Sequence, residues 1–452
     1  MLIESISGIR ATIGDSMTPK EVIEYASAYG KWVGKGTVVL GRDSRVSGRV
    51  IAMIFASTLQ WMGIDVIDIG IVPTPTVQLL TEKFNAQGGI AITASHNPFP
   101  WNGIKFIDKT GLFLDADQVN EVLNNKKNAA FTFKASGEFG KYEKNREAIE
   151  LHVKNVLNIP YLNIDAIRER KFKVVIDAVN GGGSLALPAM LRALNCDVIE
   201  VNCEPDGYFP HTPEPLPENL VDLLETVKNH KADLGLAVDP DADRLAVADE
   251  QGNYLSEEYT LVMAAETVLS QSKINNPKIV TNLSTTLAVS NIAEKYGAKC
   301  LRTAIGEINV AKKMKEVNAL IGGEGNGGII SPCSHLGRDS LVGAAMVLNF
   351  LASDERPLSE KYAEFPQYKM SKQKIAIENN DPDKILEALK NKFSDEDCNT
   401  VDGLQLKWSD RWVHMRKSNT EPILRVYSEA PTAKEAKELA GRFMDEISSL
   451  ME

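Results

Sequence analysis

The chain has 452 residues, 43% hydrophobic and 25% charged, with a formal net charge of −11. That length calls for several domains of ~100 to 200 residues each, and the apolar share excludes a disordered chain. An acidic field argues against a nucleic-acid surface, so an anionic substrate would need a locally basic pocket.

The N-terminal MLIESISGIRATIG places an acid at Glu4 and has no apolar core, so it does not read as a secretory signal. A first βαβ unit follows: TVVLGRDSRVSG as strand and turn, RVIAMIFASTLQWMG as helix, DVIDIG as strand. Next comes GGIAITASHNPFPWNGIKF, where the apolar run Ile90–Ile92 stops in a knot of small polar residues around Ser95. Open α/β folds present such strand ends to ligands. Ser95 is therefore a nucleophile, a phosphate acceptor, or only part of a Ser/Asn turn closing the strand. The hydrolase elbow GxSxG is missing. His96, adjacent in an extended segment, is expected to point away from Ser95.

A lysine-rich stretch, 124–145, separates this unit from a helix expected over 146–157 and from a second unit running FKVVIDAVNGGGS, LALPAMLRALN, DVIEVN. The segment LAVDPDADRLAVAD then sets Asp239, Asp241 and Asp243 at alternate positions between apolar strands. Crowded carboxylates repel unless a cation neutralises them, and an all-oxygen set suits a hard divalent ion, Mg²⁺ by economy; the other reading is an acidic surface turn. Arg244 follows and could pin a phosphate oxygen or a carboxylate. A turn near Asp249 leads to the third unit, KIVTNLSTT, LAVSNIAEKYG, KCLRTAIGE, and to LIGGEGNGGII. There Glu324, Gly325 and Asn326 sit among glycines that allow close approach, with polar groups suited to sugar hydroxyls or an amine. The GxGxxG nucleotide order is not met.

LVGAAMVLNFLA, the longest apolar run, falls short of the ~20 residues of a membrane helix. After about position 365 the pattern changes to a smaller α+β domain. Its segment HMRKSNTEPILRV offers Arg416, Ser418, Asn419, Thr420 and Arg425, a donor set matched to a phosphate dianion. The five cysteines are scattered without metal spacing and read as free thiols of a reducing compartment, hence a cytoplasmic protein. The expected fold is α/β: three consecutive similar α/β domains (βαβ, mixed sheet) at 1–145, 146–251 and 252–365, plus a C-terminal α+β domain at 366–452.

In this order, TASHNP, DPDADR, GEGNG and RKSNTEP resemble the phosphoserine, metal, sugar-specificity and phosphate-binding loops of the α-D-phosphohexomutase family, with supporting matches at Arg10 in SGIR, GRDSRVSG, Lys105 in NGIK and YFPHTPEPLPENL. Ala11 departs from the glycine usual after the arginine. The resemblance implies a phosphoryl group on Ser95, one Mg²⁺ per chain bridging it to Asp239, Asp241 and Asp243, and a sugar phosphate gripped at its far end by Arg416, Ser418, Asn419, Thr420 and Arg425. Glu324, Gly325 and Asn326 would serve the sugar. Lys105, Arg10, His96 and Arg244 would assist proton transfer and charge stabilisation. A sugar 1,6-bisphosphate, also the activator, would turn end for end between two transfers. Within the family the loops look most like phosphoglucosamine mutases, while SNTEP also resembles phosphomannomutase/phosphoglucomutase members. The partner is thus a small hexosamine or hexose phosphate, with no nucleic acid or membrane, acting on a monomer or homodimer. A Mg²⁺-dependent phosphatase would leave the distal phosphate loop unexplained, and a non-catalytic binder should have lost Ser95 or an aspartate. His335, in CSHLGRDS, is read as a polar neighbour of the cleft or a functional group.

Overall fold

The structure, a computed structural model, describes residues 1–5, 8–378, 380–418 and 422–451. Its first sheet has seven strands in the order Leu2–Ser5, Gly8–Thr12, Trp101–Asp108, Gly88–Ile92, Thr37–Arg42, Asp65–Ile71, Tyr142–Lys144. Continuous apolar strands such as VVL and IAI lie at its centre because helices cover both faces, leaving one apolar cluster on each side. Ala11 is fully buried within Gly8–Thr12, opposite Leu2 and Asn102, so this position needs no glycine.

The second and third sheets have four strands each, ordered Leu245–Asp249, Leu234–Val238, Lys173–Asp177, Asp197–Val201 and Lys299–Thr303, Lys278–Asn282, Ile321–Glu324, Gly328–Ile330. One device recurs in the first three sheets. A central strand, paired in parallel on one side, turns back into an antiparallel neighbour: Gly88–Ile92 into Trp101–Asp108, Leu234–Val238 into Leu245–Asp249, Ile321–Glu324 into Gly328–Ile330. The Ser95, Asp239–Asp243 and Glu324–Asn326 loops occupy these three turns. That common position is why chemically unrelated loops reach one cleft.

Serial domains do not mean separate cores. The helix Ser340–Leu351, buried at every position, packs against the helices Ala148–Leu157, Gly183–Ala193 and Glu258–Gln271, so the second and third sheets share one apolar cluster. Among the described residues, no helix is long and apolar enough to cross a membrane. The C-terminal unit is a five-stranded antiparallel sheet, Lys369–Ala376, Ile423–Ala430, Trp412–Lys417, Leu404–Lys407, Asp397–Asn399, backed by the helices Pro382–Lys392 and Ala433–Met451. It docks on the third unit through polar contacts. Glu429 accepts the Leu287 amide at 2.7 Å, Gln405 donates to the Leu283 carbonyl at 2.5 Å, and Asp402 accepts the Ile305 amide at 3.0 Å.

Candidate active site

All four units contribute to a cleft of about 490 Å³ lined by Arg10 and Lys105, Glu214 and Arg244, Glu324, Asn326 and Arg338, and Arg416 and Arg425. Behind the lining residues Lys105, Arg244 and Arg338, which contact Asp241, Asp239 and Asp243, Ser95 is 1% exposed and holds a left-handed backbone, φ 48°. Such a conformation is costly for a non-glycine residue and persists only when its surroundings enforce it. Here Arg45 enforces it. Its guanidinium is buried, bonds Asp43 through Nε at 3.1 Å, and reaches the carbonyls of Ser95 and Asn97 at 2.6 Å and those of Pro98 and Trp101 at 3.0 and 2.9 Å. Thr93 completes the clamp, donating to Asp43 at 2.7 Å and accepting the Ser95 amide at 2.9 Å.

The bent backbone corrects one expectation: His96 does not point away, and its Nδ1 lies 3.4 Å from Ser95 Oγ. Burial, reinforced by Arg244 and Arg10, pushes this imidazole down to about 3, so it is neutral near pH 7. Arg10 donates to Asn97 Oδ1 at 2.9 Å from the rim of the same loop.

Ser95 Oγ donates to Asp239 Oδ2 at 2.9 Å. The three aspartates offer ligand oxygens within 4.8 Å of one another. Burial raises all three, yet their outcomes differ. The Lys105 ammonium, 2.6 Å from Asp241 Oδ2, and the Thr74 hydroxyl at 2.8 Å hold Asp241 far below the usual carboxylate range. Arg338, at 2.6 Å, keeps Asp243 low. Asp239 is pushed well up, by burial and then by the charges of Asp243 and Asp241. The triplet is thus short of one cation. The second oxygens of Asp241 and Asp243 are buried without a hydrogen-bond partner among the described residues. Three clustered carboxylates with two buried oxygens lacking a partner among the described residues fit a hard divalent ion. Burial opposes the charge on Lys105, but Asp241 and Asp243 hold the ammonium above its ordinary value, so it stays protonated.

Arg338 does more than compensate Asp243. It also binds Glu324 through Nη1 at 2.8 Å and Glu307 through Nε at 3.0 Å, and Glu307 takes Gln78 Nε2 at 2.9 Å. One guanidinium therefore ties the acidic turn to the glycine-rich loop, and through Gln78 to the first unit. Glu324 Oε1 also accepts Asn282 and the Gly306 amide, at 2.8 and 2.9 Å. Two glycines make room for this packing: a Cβ on Gly325 would meet Glu258 Oε2 at 2.0 Å, and one on Gly328 would meet Arg338 Cδ at 2.2 Å. Asn326 lines the cleft and accepts the Gly328 amide at 3.3 Å.

At the opposite end Arg416 and Arg425 stand directly opposite each other on adjacent antiparallel strands. Like charges in that relation are destabilising, and an anion between them would remove the penalty. Both Nε atoms are buried without a partner among the described residues; Arg416 reaches Asp402 only at 3.4 Å, and Arg425 the Tyr427 hydroxyl at 3.3 Å. Ser418 follows the strand Trp412–Lys417, its amide donating to Ile423 O at 3.1 Å. Asn419 and Thr420 lie outside the described residues.

Arg45, Thr74, Gln78, Glu307 and Arg338 carry no expectation from the sequence. A signal was available: GRDS occurs twice, at 41–44, where the strand Thr37–Arg42 ends, and at 337–340, where the helix Ser340–Leu351 begins. His335, like Arg45, Thr74 and Gln78, is not among the cleft-lining residues. Its Nδ1 accepts the Gly337 amide at 3.0 Å, so Nε2 carries the proton it donates to Asp339 at 3.1 Å. Asp339 also holds His152 at 2.8 Å, and His152 meets Thr76 at 2.8 Å, a chain linking three units.

Comparison with known proteins covers nearly the whole chain. Residues 3–133, 150–252 and 256–368 match phosphoglucomutase/phosphomannomutase alpha/beta/alpha domains I, II and III, and residues 374–446 match the C-terminal domain. A Thermococcus kodakarensis protein named phosphoglucomutase/phosphomannomutase is 37% identical over 95% of this chain and 95% of its own length. A Methanopyrus kandleri protein named probable phosphoglucosamine mutase is 33% identical over 99% and 98%. Among solved structures, a phosphoglucomutase/phosphomannomutase family protein from Burkholderia thailandensis superposes with a TM-score of 0.86 at 27% identity, covering 99% of this chain and 98% of its own.

Proposed function

The chain belongs to the phosphoglucomutase/phosphomannomutase family and is a phosphohexomutase, an isomerase; within that activity we propose that it interconverts glucosamine 6-phosphate and glucosamine 1-phosphate through a phosphoryl group carried on Ser95. The observation that carries this reading is a cleft with two ends: Lys105, Arg244 and Arg338 at one end, backed by a buried serine bonded to a carboxylate triplet short of one cation, and a facing arginine pair at the other, suited to a second phosphate.

In the proposed cycle Arg416 and Arg425, with Ser418, Asn419 and Thr420, hold the sugar's existing phosphate, which leaves its free hydroxyl facing Ser95. That hydroxyl oxygen bonds to phosphorus as the bond from phosphorus to Ser95 Oγ breaks. The hydroxyl proton leaves and Oγ gains one, giving a sugar bisphosphate and free serine. Neutral His96, 3.4 Å from Oγ, is placed to exchange that proton. Lys105, Arg10 and Arg244 remain cationic and balance charge on the transferring group. Asp239, Asp241 and Asp243 would hold a Mg²⁺, which would supply electrostatic stabilisation of that group. The bisphosphate then turns end for end, exchanges the roles of its phosphates, and returns one to Ser95. Added sugar 1,6-bisphosphate would restore a phosphoryl group lost to water.

Glucosamine is favoured by relatives named probable phosphoglucosamine mutase, among them the Methanopyrus kandleri protein. The Thermococcus kodakarensis relative, at 37% identity, favours glucose or mannose phosphate as the second reading. Comparing kcat/KM on glucosamine, glucose and mannose 1-phosphates decides between them: glucosamine should lead by at least about tenfold, a preference of ~1.4 kcal/mol. Stoichiometric release of inorganic phosphate in the same assay would instead indicate a phosphatase.

A further inference from the structure

A second cavity, about 700 Å³, shares no lining residue with the cleft. Its walls are one face of the helix Gly48–Trp61, the end of the strand Asp65–Ile71, and the segment from Tyr142 into the helix Ala148–Leu157. In a chain of net charge −11 it gathers four cations, Arg42, Arg49, Lys144 and Arg146. None makes an ion pair with a carboxylate among the described residues; Arg42 donates only to the Asp43 carbonyl, at 3.1 Å. Asp68 is the one acid among the described lining residues, and it is already engaged, accepting the Gly70 amide at 2.9 Å and the Tyr142 hydroxyl at 2.5 Å. Burial holds the Arg42 guanidinium below its ordinary value against the opposing fields of Asp43 and Asp68, and Arg49 adds like-charge repulsion. Gathering unpaired cations in one concavity costs free energy that a bound anion would offset.

Between the cations the surface is apolar. Ala52, Ile69 and Ala148 are buried in the floor, while Met53, 58% exposed, and Leu185, 46% exposed, stand at the rim. Exposed methionine beside a concave apolar floor suits a flat ring, and the volume is that of a small-molecule site. We infer that this groove binds a small molecule joining two or more phosphates to an apolar ring, in chemical class a nucleoside diphosphate. Two phosphate groups match four cations. The occupant would bridge the first unit to the helix Ala148–Leu157, which carries His152 of the interdomain chain.

The test is calorimetric titration with ADP as probe, in the presence of a saturating concentration of whichever sugar phosphate is turned over best, so that the cleft is filled. ADP should still bind, and the exposed pair Arg49→Glu/Arg146→Glu should weaken it about tenfold or more, since both charge-assisted contacts to phosphate are lost, while kcat/KM for the sugar phosphate is unchanged. Pyrophosphate should bind more weakly than ADP, and Met53→Ser should weaken ADP but not pyrophosphate. Absence of ADP binding at millimolar concentration, displacement of ADP by the sugar phosphate, or equal affinity in the double variant would each overturn the site. Equal affinities for pyrophosphate and ADP would overturn the choice of ligand class.

Discussion

The two ends of the cleft are built on opposite principles. At the serine end key groups are held by partners distant in sequence: Lys105 by Asp241, Asp243 by Arg338, and the serine backbone by Arg45. At the arginine end two guanidinium groups oppose each other on one hairpin, and among the described residues Arg416 reaches a carboxylate only at Asp402, 3.4 Å away. The first arrangement is preorganised, so its donors need not reorient when charge moves. The second leaves like charges opposed, a penalty that a bound anion would remove. This division suits a substrate that must be held, released and turned, while the reacting centre stays fixed.

The largest expected effect follows from the fixed end. Ser95→Ala should lower turnover by at least ~10³-fold, because it removes the atom proposed to carry the phosphoryl group. The fold should survive, since the loop is held by Arg45 through backbone carbonyls rather than through the hydroxyl. Intact mass should show ~80 Da of phosphate on the wild type and none on the variant. Turnover within tenfold of wild type would remove Ser95 from the chemistry.

Next in size, EDTA should lower the rate ~10² to 10³-fold, with Mg²⁺ restoring it. Asp241→Asn should raise the Mg²⁺ concentration needed for half-activity by about tenfold or more, because it loses charge on a residue whose Oδ1 is orphaned. A rate indifferent to chelation would make the triplet structural.

Expectations from sequence fared differently at the two ends for a physical reason. Dense local chemistry is readable: three aspartates in five residues, or arginine beside hydroxyls, have few other uses. The supports were not readable, because they act across the chain. Arg338 and Asp243 are 95 positions apart, and Thr74 and Asp241 are 167 apart. The orientation of His96 was misjudged for a local reason. Alternation along an extended strand does not apply where Ser95 turns left-handed, and that turn is imposed by Arg45, 50 positions away. Apolar runs alternating with helical periodicity made the three α/β units legible, but not the core shared by the second and third.

At the open end Arg416→Ala should weaken glucosamine 6-phosphate by about 10- to 150-fold, the value of one charge-assisted contact, with the Mg²⁺ requirement unchanged. Titration calorimetry beside the wild type gives the answer. Equal affinities would place the phosphate elsewhere.

The smallest effect probes the seam between the ends, where Arg338 joins the acidic turn to the glycine-rich loop. Gly328→Ala adds one methyl group whose carbon would lie 2.2 Å from Arg338 Cδ and 3.1 Å from Asn326 Oδ1. The glycine is not among the residues of positive φ, so alanine brings no backbone strain. Arg338 must shift, and because it grips Asp243 at 2.6 Å and Glu324 at 2.8 Å, both loops feel the movement. A displacement of this kind costs roughly 1 to 2 kcal/mol, so the Mg²⁺ concentration for half-activity and the KM for sugar phosphate should rise together, about 5- to 30-fold each. Asn326→Ala, which removes the other neighbour, should raise KM alone. If Gly328→Ala raises KM and leaves the Mg²⁺ requirement untouched, the two loops are independent and Arg338 is not the link between them.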